Sequence, residues 1–147
     1  MGFMNNLENN LRSYYLQKNS TLLGIGPMSK ICVDVSIDIS NKYEVILMLI
    51  ASRRQIDSEE FGGGYVNNWN TREFSKYVTK NDKKNKIILC RDHGGPWQNQ
   101  IEVENSLNTN LAMESAKRSF REDIKCGFQI IHIDTCIDIH EKISLKN

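Results

Sequence analysis

The residues of this chain best suited to chemistry fall in three short clusters: Ser52-Arg53-Arg54-Gln55, Arg91-Asp92-His93-Gly94 and Asp134-Thr135. Such clusters combine imidazole, carboxylate and guanidinium, the groups that bind metals, carry protons and grip anions. The chain has three histidines, His93, His132 and His140. Zinc usually takes at least three protein ligands, so an all-histidine site would need every one of them. His132 and Asp134 share strand parity and point the same way, whereas His140 has no matching spacing. Arg53 and Arg54 can clamp a phosphate, because guanidinium binds it bidentately. Successive strand residues point oppositely, so only one of the pair would face a site. A surface arginine, or an ion pair with Glu59 or Glu60, is the competing reading. Gly62, Gly63 and Gly64 can offer backbone N–H groups to phosphate, or simply form a turn. Gln55, Asn67 and Trp97 are candidate pocket-lining residues. Trp97 can stack on a sugar ring or pack as an ordinary core aromatic. The pair Asp92 and His93 can act in catalysis, shape its loop or bind a sugar hydroxyl.

The elements that must hold these residues show in the hydropathy pattern. Leu7 to Gln17 reads as a short helix, and Leu22 to Gly26 as a short apolar run ended by Pro27. In Met28 to Tyr43 the residues Ile31, Val33, Val35, Ile37 and Ile39 alternate as in a strand, yet Ile31, Val35 and Ile39 also share a helix face; periodicity alone favours the strand. Glu44 to Ser52 is continuously apolar, as expected of a parallel strand covered on both faces. After the glycine loop, Asn70 and Glu73 have capping-box spacing, and Phe74, Tyr77 and Val78 form an apolar stripe. Asn81 to Lys86 is a polar turn. Lys86 to Cys90 is the next strand, followed by a loop that runs to about Leu107. Met113, Ala116, Phe120 and Ile124 recur at helical spacing up to Gly127, a C′ glycine. Phe128 to Ile133 is another strand, and Ile137 to Asn147 a loop or incipient helix. The strands starting at Glu44, Lys86 and Phe128 are 42 residues apart. This serial strand-loop-helix order predicts an α/β fold with a parallel sheet and ligands at the carboxyl ends of its strands. The pattern alone also allows an open doubly wound sheet.

At 147 residues the chain has room for one domain with a core, and is short for a (β/α)8 barrel of about 250 residues. Its net charge is +1, with lysines and arginines scattered; a nucleic-acid binder would show a basic stripe. No stretch approaches the roughly 18 apolar residues of a membrane span, and the asparagine-rich start has no signal-peptide core. Cys32, Cys90, Cys126 and Cys136 form no C-x-x-C pair, and the simplest reading places these thiols in a reducing cytoplasm.

Four segments in order, GIGPMS (24–29), IASRRQIDSEEFGGGY (50–65), IILCRDHGGPW (87–97) and GFQIIHID (127–134), resemble the non-catalytic accessory subunits of class II tagatose-1,6-bisphosphate aldolases. The resemblance covers about residues 11 to 138, and the Asp-His-Gly…Pro-Trp segment is its most specific part. It implies a partial (β/α)8 TIM barrel: residues 1–20 as a helical lead-in, then 21–147 as the amino-terminal half, about four βα units, with Met28 to Tyr43 a helix rather than a strand. It implies a role in sugar-phosphate metabolism beside a separate catalytic aldolase subunit, with self-association the other expected partnership. By likeness to zinc-dependent class II aldolases, His93 would be a metal ligand, Asp92 the acid/base, and Asp134 a further site residue. Two alternatives stand beside this reading: a metal-dependent lyase in its own right, and an inactive truncated remnant. Members of the family also carry a tagatose-6-phosphate kinase label, but the chain has no G-x-x-x-x-G-K-[ST] phosphate loop. It departs from the family at Ile50, where a glutamate is usual, and at Arg53 and Arg54, where smaller polar residues are usual. These departures suggest a divergent subgroup.

Overall fold

Four apolar runs pair side by side in a computed structural model of the chain. The structure describes residues 21–140 and, before them, Asn9, Leu11 to Ser13 and Leu16, which are helical. The rest of the expected lead-in helix and the tail from Glu141 lie outside the described residues. Strands β1 (Leu23–Ile25), β2 (Leu47–Ser52), β3 (Ile87–Gly94) and β4 (Ile130–Ile133) form one sheet in the order β1-β2-β3-β4. All three pairings are parallel. Each strand lies beside its predecessor, so the sheet is singly wound, like neighbouring staves of a (β/α)8 barrel. A doubly wound sheet would reverse its strand order part-way.

Helices α1 (Lys30–Tyr43), α2 (Thr71–Asn81), α3 (Gln100–Glu104) and α4 (Thr109–Lys125) fill the connections, with a 3-10 turn at Glu59–Phe61. The core lies between one sheet face and the helices: Leu49, Ala51 and Leu89 pack with Val33, Ile37, Phe74, Val78 and Phe128. On the other face, register aligns Met48 with Ile88, Ile50 with Cys90, and Cys90 with Ile130. None of these five belongs to the helix-sheet core.

Local chemistry explains the helices. The alternating segment is α1, started by Ser29, whose side chain accepts from the Cys32 amide at 3.2 Å. Its buried stripe is Val33, Ser36, Ile37 and Ser40, while Ile31, Val35 and Ile39 are exposed. A period-two apolar pattern wound into a helix makes two stripes about 200° apart, and only one can face the sheet. Ser36 and Ser40 enter the buried stripe because their hydroxyls donate to the Cys32 and Val45 carbonyls.

The capping box of α2 forms as its sequence predicts. Asn70 Oδ1 accepts from the Glu73 amide at 2.9 Å, and the Glu73 carboxylate accepts from the Asn70 amide at 3.0 Å. At the end of α4, Gly127 takes φ 85°. Phe128 N donates to Asp123 O and Gly127 N to Ile124 O, a Schellman cap. The buried stripe of α4 is displaced from the expected one. Ala112, Ser115, Ala116, Ser119 and Asp123 face inward, whereas Ile124 is exposed. The displacement follows from what lies beneath: Arg53 with its carboxylate partners Asp57 and Glu102, to which Ser119 and Ser115 donate, and Arg91, which pairs with Asp123. Element boundaries also differ: β2 begins at Leu47, because Glu44 ends α1 at φ 53°, and β4 begins at Ile130 rather than Phe128. Strand β3 runs on to Gly94, and the segment read as loop contains α3, capped by Asn99 at 2.9 Å from the Ile101 amide.

Candidate functional site

The carboxyl ends of β2, β3 and β4 lie side by side. Ser52 is in register with Asp92. Asp92 Oδ1 lies 3.6 Å from His132 Nδ1, and Asp92 Oδ2 lies 3.6 Å from His93 Nε2. The two imidazole centroids are 5.7 Å apart. Simple alternation would send the neighbours Asp92 and His93 to opposite faces. They converge because the β3–β4 register shifts between Arg91 and Gly94 and because His93 takes φ 43°, in the left-handed region. Histidine tolerates that region better than most side chains do.

Close backbone approach explains the two glycines that follow. A Cβ on Gly94 would meet Phe120 Cε1 at 2.3 Å, and one on Gly95 would meet the Asp134 carbonyl oxygen at 1.6 Å. The Asp134 amide donates to the Gly94 carbonyl at 2.7 Å. Thus the His-Gly-Gly turn seats itself directly against the end of β4.

Asp134 is the anchor of the cluster. It is buried, and its Oδ1 accepts from the Cys136 amide at 2.9 Å. Its Oδ2 accepts from Gln98 Nε2 at 3.0 Å and lies 2.6 Å from His93 Nδ1. Contacts with Cys136 first, and His93 second, hold the Asp134 carboxyl well below the usual carboxylate range. In turn, the hydrogen bond to Asp134 and then the charge of Asp92 raise His93 above its ordinary value. A neutral imidazole that gives Nδ1–H to Asp134 keeps the Nε2 lone pair, on the side of Asp92.

Asp92, His93 and His132 each offer one ligand atom, all within 4.8 Å of one another. Bonds of about 2.0 Å to a tetrahedral zinc ion put neighbouring ligand atoms roughly 3.3 Å apart. The two 3.6 Å separations run from different oxygens of Asp92, and single ligand atoms spread over as much as 4.8 Å, so the three residues are grouped closely enough to hold a small divalent cation only by drawing in around it. His140 stands apart: its Nε2 lies 2.9 Å from the Leu107 carbonyl, and its ring meets the edge of Trp97. The structure therefore groups an aspartate with two histidines, not three histidines.

The remaining candidates go elsewhere. Arg53 is fully buried, with Nε 2.9 Å from Asp57 Oδ2 and Nη1 2.6 Å from Glu102 Oε1. Nη1 also donates to the Gly95 carbonyl at 2.8 Å. Its partners are thus interior carboxylates, not Glu59 or Glu60, and its guanidinium braces the loop from below. Arg54 is exposed. Gln55 accepts from the Ser52 amide at 2.8 Å and reaches Met28 Sδ at 3.0 Å, tying the start of α1 to the end of β2. The glycine-loop amides are turned inward: Gly62 N to Glu59 O, Gly63 N to Ser58 O and Gly64 N to Trp69 O. Gly64 is needed there, since a Cβ would lie 2.0 Å from the Gln55 carbonyl oxygen. Trp97 is buried, its indole donating to the Leu107 carbonyl at 2.8 Å and its amide to Glu102 at 2.6 Å. Asn67 is exposed at φ 52°. Gln98 was the unforeseen member of the cluster; its only sequence signal is its place just after Pro96-Trp97.

No helix among the described residues is long and apolar enough to cross a membrane. All four cysteines are free. No family model and no curated protein matches the chain. Among solved structures, the fold is similar to the crystal structure of a probable tagatose 6 phosphate kinase from Sinorhizobium meliloti 1021, with TM-score 0.66 and 19% sequence identity. The match covers 84% of this chain and 31% of that one, so this chain spans less than a third of its neighbour's length. At that identity the likeness shows the fold: an α/β arrangement of successive βα units around a parallel sheet.

Proposed function

We propose that the chain is the amino-terminal part of a sugar-phosphate-handling (β/α)8 protein, of the accessory kind that serves class II tagatose-bisphosphate aldolases. The observation that carries the reading is the Asp92–His93 pair at the carboxyl end of β3, braced by Asp134. Ligands of such folds meet strand ends, and the pair sits inside the segment that most resembles the accessory subunits. The similar fold of a probable tagatose 6 phosphate kinase supports a tagatose-phosphate connection. Kinase chemistry itself gains no support from a chain without a phosphate-loop motif. In this reading Asp92 accepts hydrogen bonds from sugar hydroxyls, and His93 presents Nε2 beside it. The test mixes the chain with a class II catalytic subunit and measures association and aldol cleavage. Binding with increased or longer-lived activity supports the reading; neither effect would sink it.

The grouping of Asp92, His93 and His132 within reach of one divalent cation favours a second reading, a metal-dependent lyase. When bound, such an ion polarises a substrate carbonyl. The chain's own groups then divide the remaining work. Asp134 holds His93 in one orientation, and Asp92 either completes the ligand set or moves the proton at the reacting carbon. Its two oxygens face one imidazole each, so ligation would occupy the group that acid/base chemistry needs. Metal content and aldol cleavage of the chain alone, repeated with Asp92→Asn and His93→Ala, separate this reading from the first. Metal-free, inactive protein would exclude it.

A further inference from the structure

A cleft of about 350 Å³ opens on the helical side of the fold, lined by none of the strand-end cluster. It lies between the 3-10 turn, the start of α2 and the outer flank of α4. Arg118, Arg121 and Lys125 line it from α4, at spacings that put them on one helix face, and Arg72 lines it from α2. Glu59, Glu60 and Glu122 contribute three carboxylates against these four cations. Arg118 pairs with Glu60 and Arg72 with Glu122, each at 2.6 Å. Both pairs are partly exposed, and pairs of that kind contribute little. A stronger acceptor can therefore exchange with the glutamates. Arg121 and Lys125 have no ion pair among the described residues. Arg118 is held in place by Phe61, its guanidinium 5.6 Å from the ring centroid.

Ser58 adds an independent observation. It lines the cleft, is only 6% exposed, and its hydroxyl has no hydrogen-bond partner among the described residues. It precedes the 3-10 turn without making a side-chain cap. Buried hydroxyls are normally paired, so this one lacks the partner a ligand would bring. Nearby, the first turn of α2 gives its Thr71 amide to Asp57 O and its Glu73 amide to Asn70 Oδ1. The Arg72 amide between them has no acceptor among the described residues.

We infer that this cleft binds a phosphate monoester. A dianion with three terminal oxygens matches several cations, a hydroxyl and a helix-start amide together. A single carboxylate would leave most of these donors unused.

The test titrates the chain with inorganic phosphate and with a hexose phosphate, against sodium chloride at matched ionic strength. Binding is followed by calorimetry and by amide NMR. Both phosphates should bind saturably, with the hexose ester at least as tight, and shift the Ser58 and Arg72 amides. Arg121→Gln combined with Lys125→Gln should weaken binding about tenfold or more, since each removes a charge-assisted contact. Because neither residue makes an internal ion pair, the unliganded melting temperature should stay unchanged. Ser58→Ala should weaken binding by a smaller factor. Phosphate binding no better than chloride, or unaltered affinity in the double variant, would overturn the inference. So would amide shifts confined to the Asp92 cluster.

Discussion

His93 hands its Nδ1 edge to Asp134 across 2.6 Å, while Asp134 is itself fixed by Gln98 and Cys136. The imidazole therefore has a set orientation before any ligand arrives. A carboxylate behind a histidine also raises its basicity and fixes its tautomer.

In chelator-treated protein, His93 should titrate above the ordinary histidine value, and Asp134→Asn should bring it down. The sign follows from linkage: a histidine whose value rises on folding adds stability below its unfolded value of about 6.5. That contribution is lost as pH climbs through the raised value. Imidazole NMR titrations of the two proteins measure the difference; equal curves would contradict the pairing.

Gly95→Ala should damage the fold as well as the site. The added Cβ would lie 1.6 Å from the Asp134 carbonyl oxygen, which belongs to backbone and cannot step aside. Overpacking of this kind costs about 1–3 kcal/mol or more. Denaturant unfolding should show the loss, and the same substitution at Gly127, where nothing lies within 4 Å, tests backbone conformation alone.

Arg53 and Arg54 are neighbours in sequence with opposite predicted sensitivities. Removing Arg53 leaves Asp57 and Glu102 uncompensated in the interior, a loss of about 3–5 kcal/mol. Arg54→Ala, at an exposed position, should stay within about 0.5 kcal/mol. Similar effects for both would mean that Arg53 is not enclosed.

Self-association is the fourth expectation. Strand β1 and strand β4 each have one unpaired edge among the described residues, and such edges recruit further strands. Leu23, Ile130 and Ile133 on those strands are exposed. Sedimentation should show dimers or larger species; a monomer across a wide concentration range would count against it.

Much of this was readable in the sequence where the signal is local. The Asn70–Glu73 box, the Gly127 cap and the apolar run before Ser52 each depend on a few neighbouring residues, and all three formed. The segment now α1 was ambiguous because period-two alternation satisfies a strand and also gives a helix two opposed stripes. Which stripe turns inward depends on the sheet, and Val33 and Ile37 won it. The convergence of Asp92 and His93 was hidden because strand parity predicts the opposite; the register shift against β4 is a tertiary event. Arg53 was unreadable for a related reason. Its partner Glu102 comes from a helix not foreseen, and nothing local distinguishes a phosphate-seeking arginine from a buried one.

Arg53 reaches from the end of β2 to Asp57, to Gly95 after β3 and to Glu102 on α3. Asp57 also accepts from Asn99 and from Ser119 on α4, and Arg91 of β3 joins Asp123 to the Ala51 and Ile56 carbonyls. Opening any one of these segments would strand a charge in a dry interior. The loops above the sheet are thus denied independent breathing. Their amides should exchange with deuterium together, at the rate of global unfolding, so that the floor beneath the Asp92 cluster behaves as one cooperative slab.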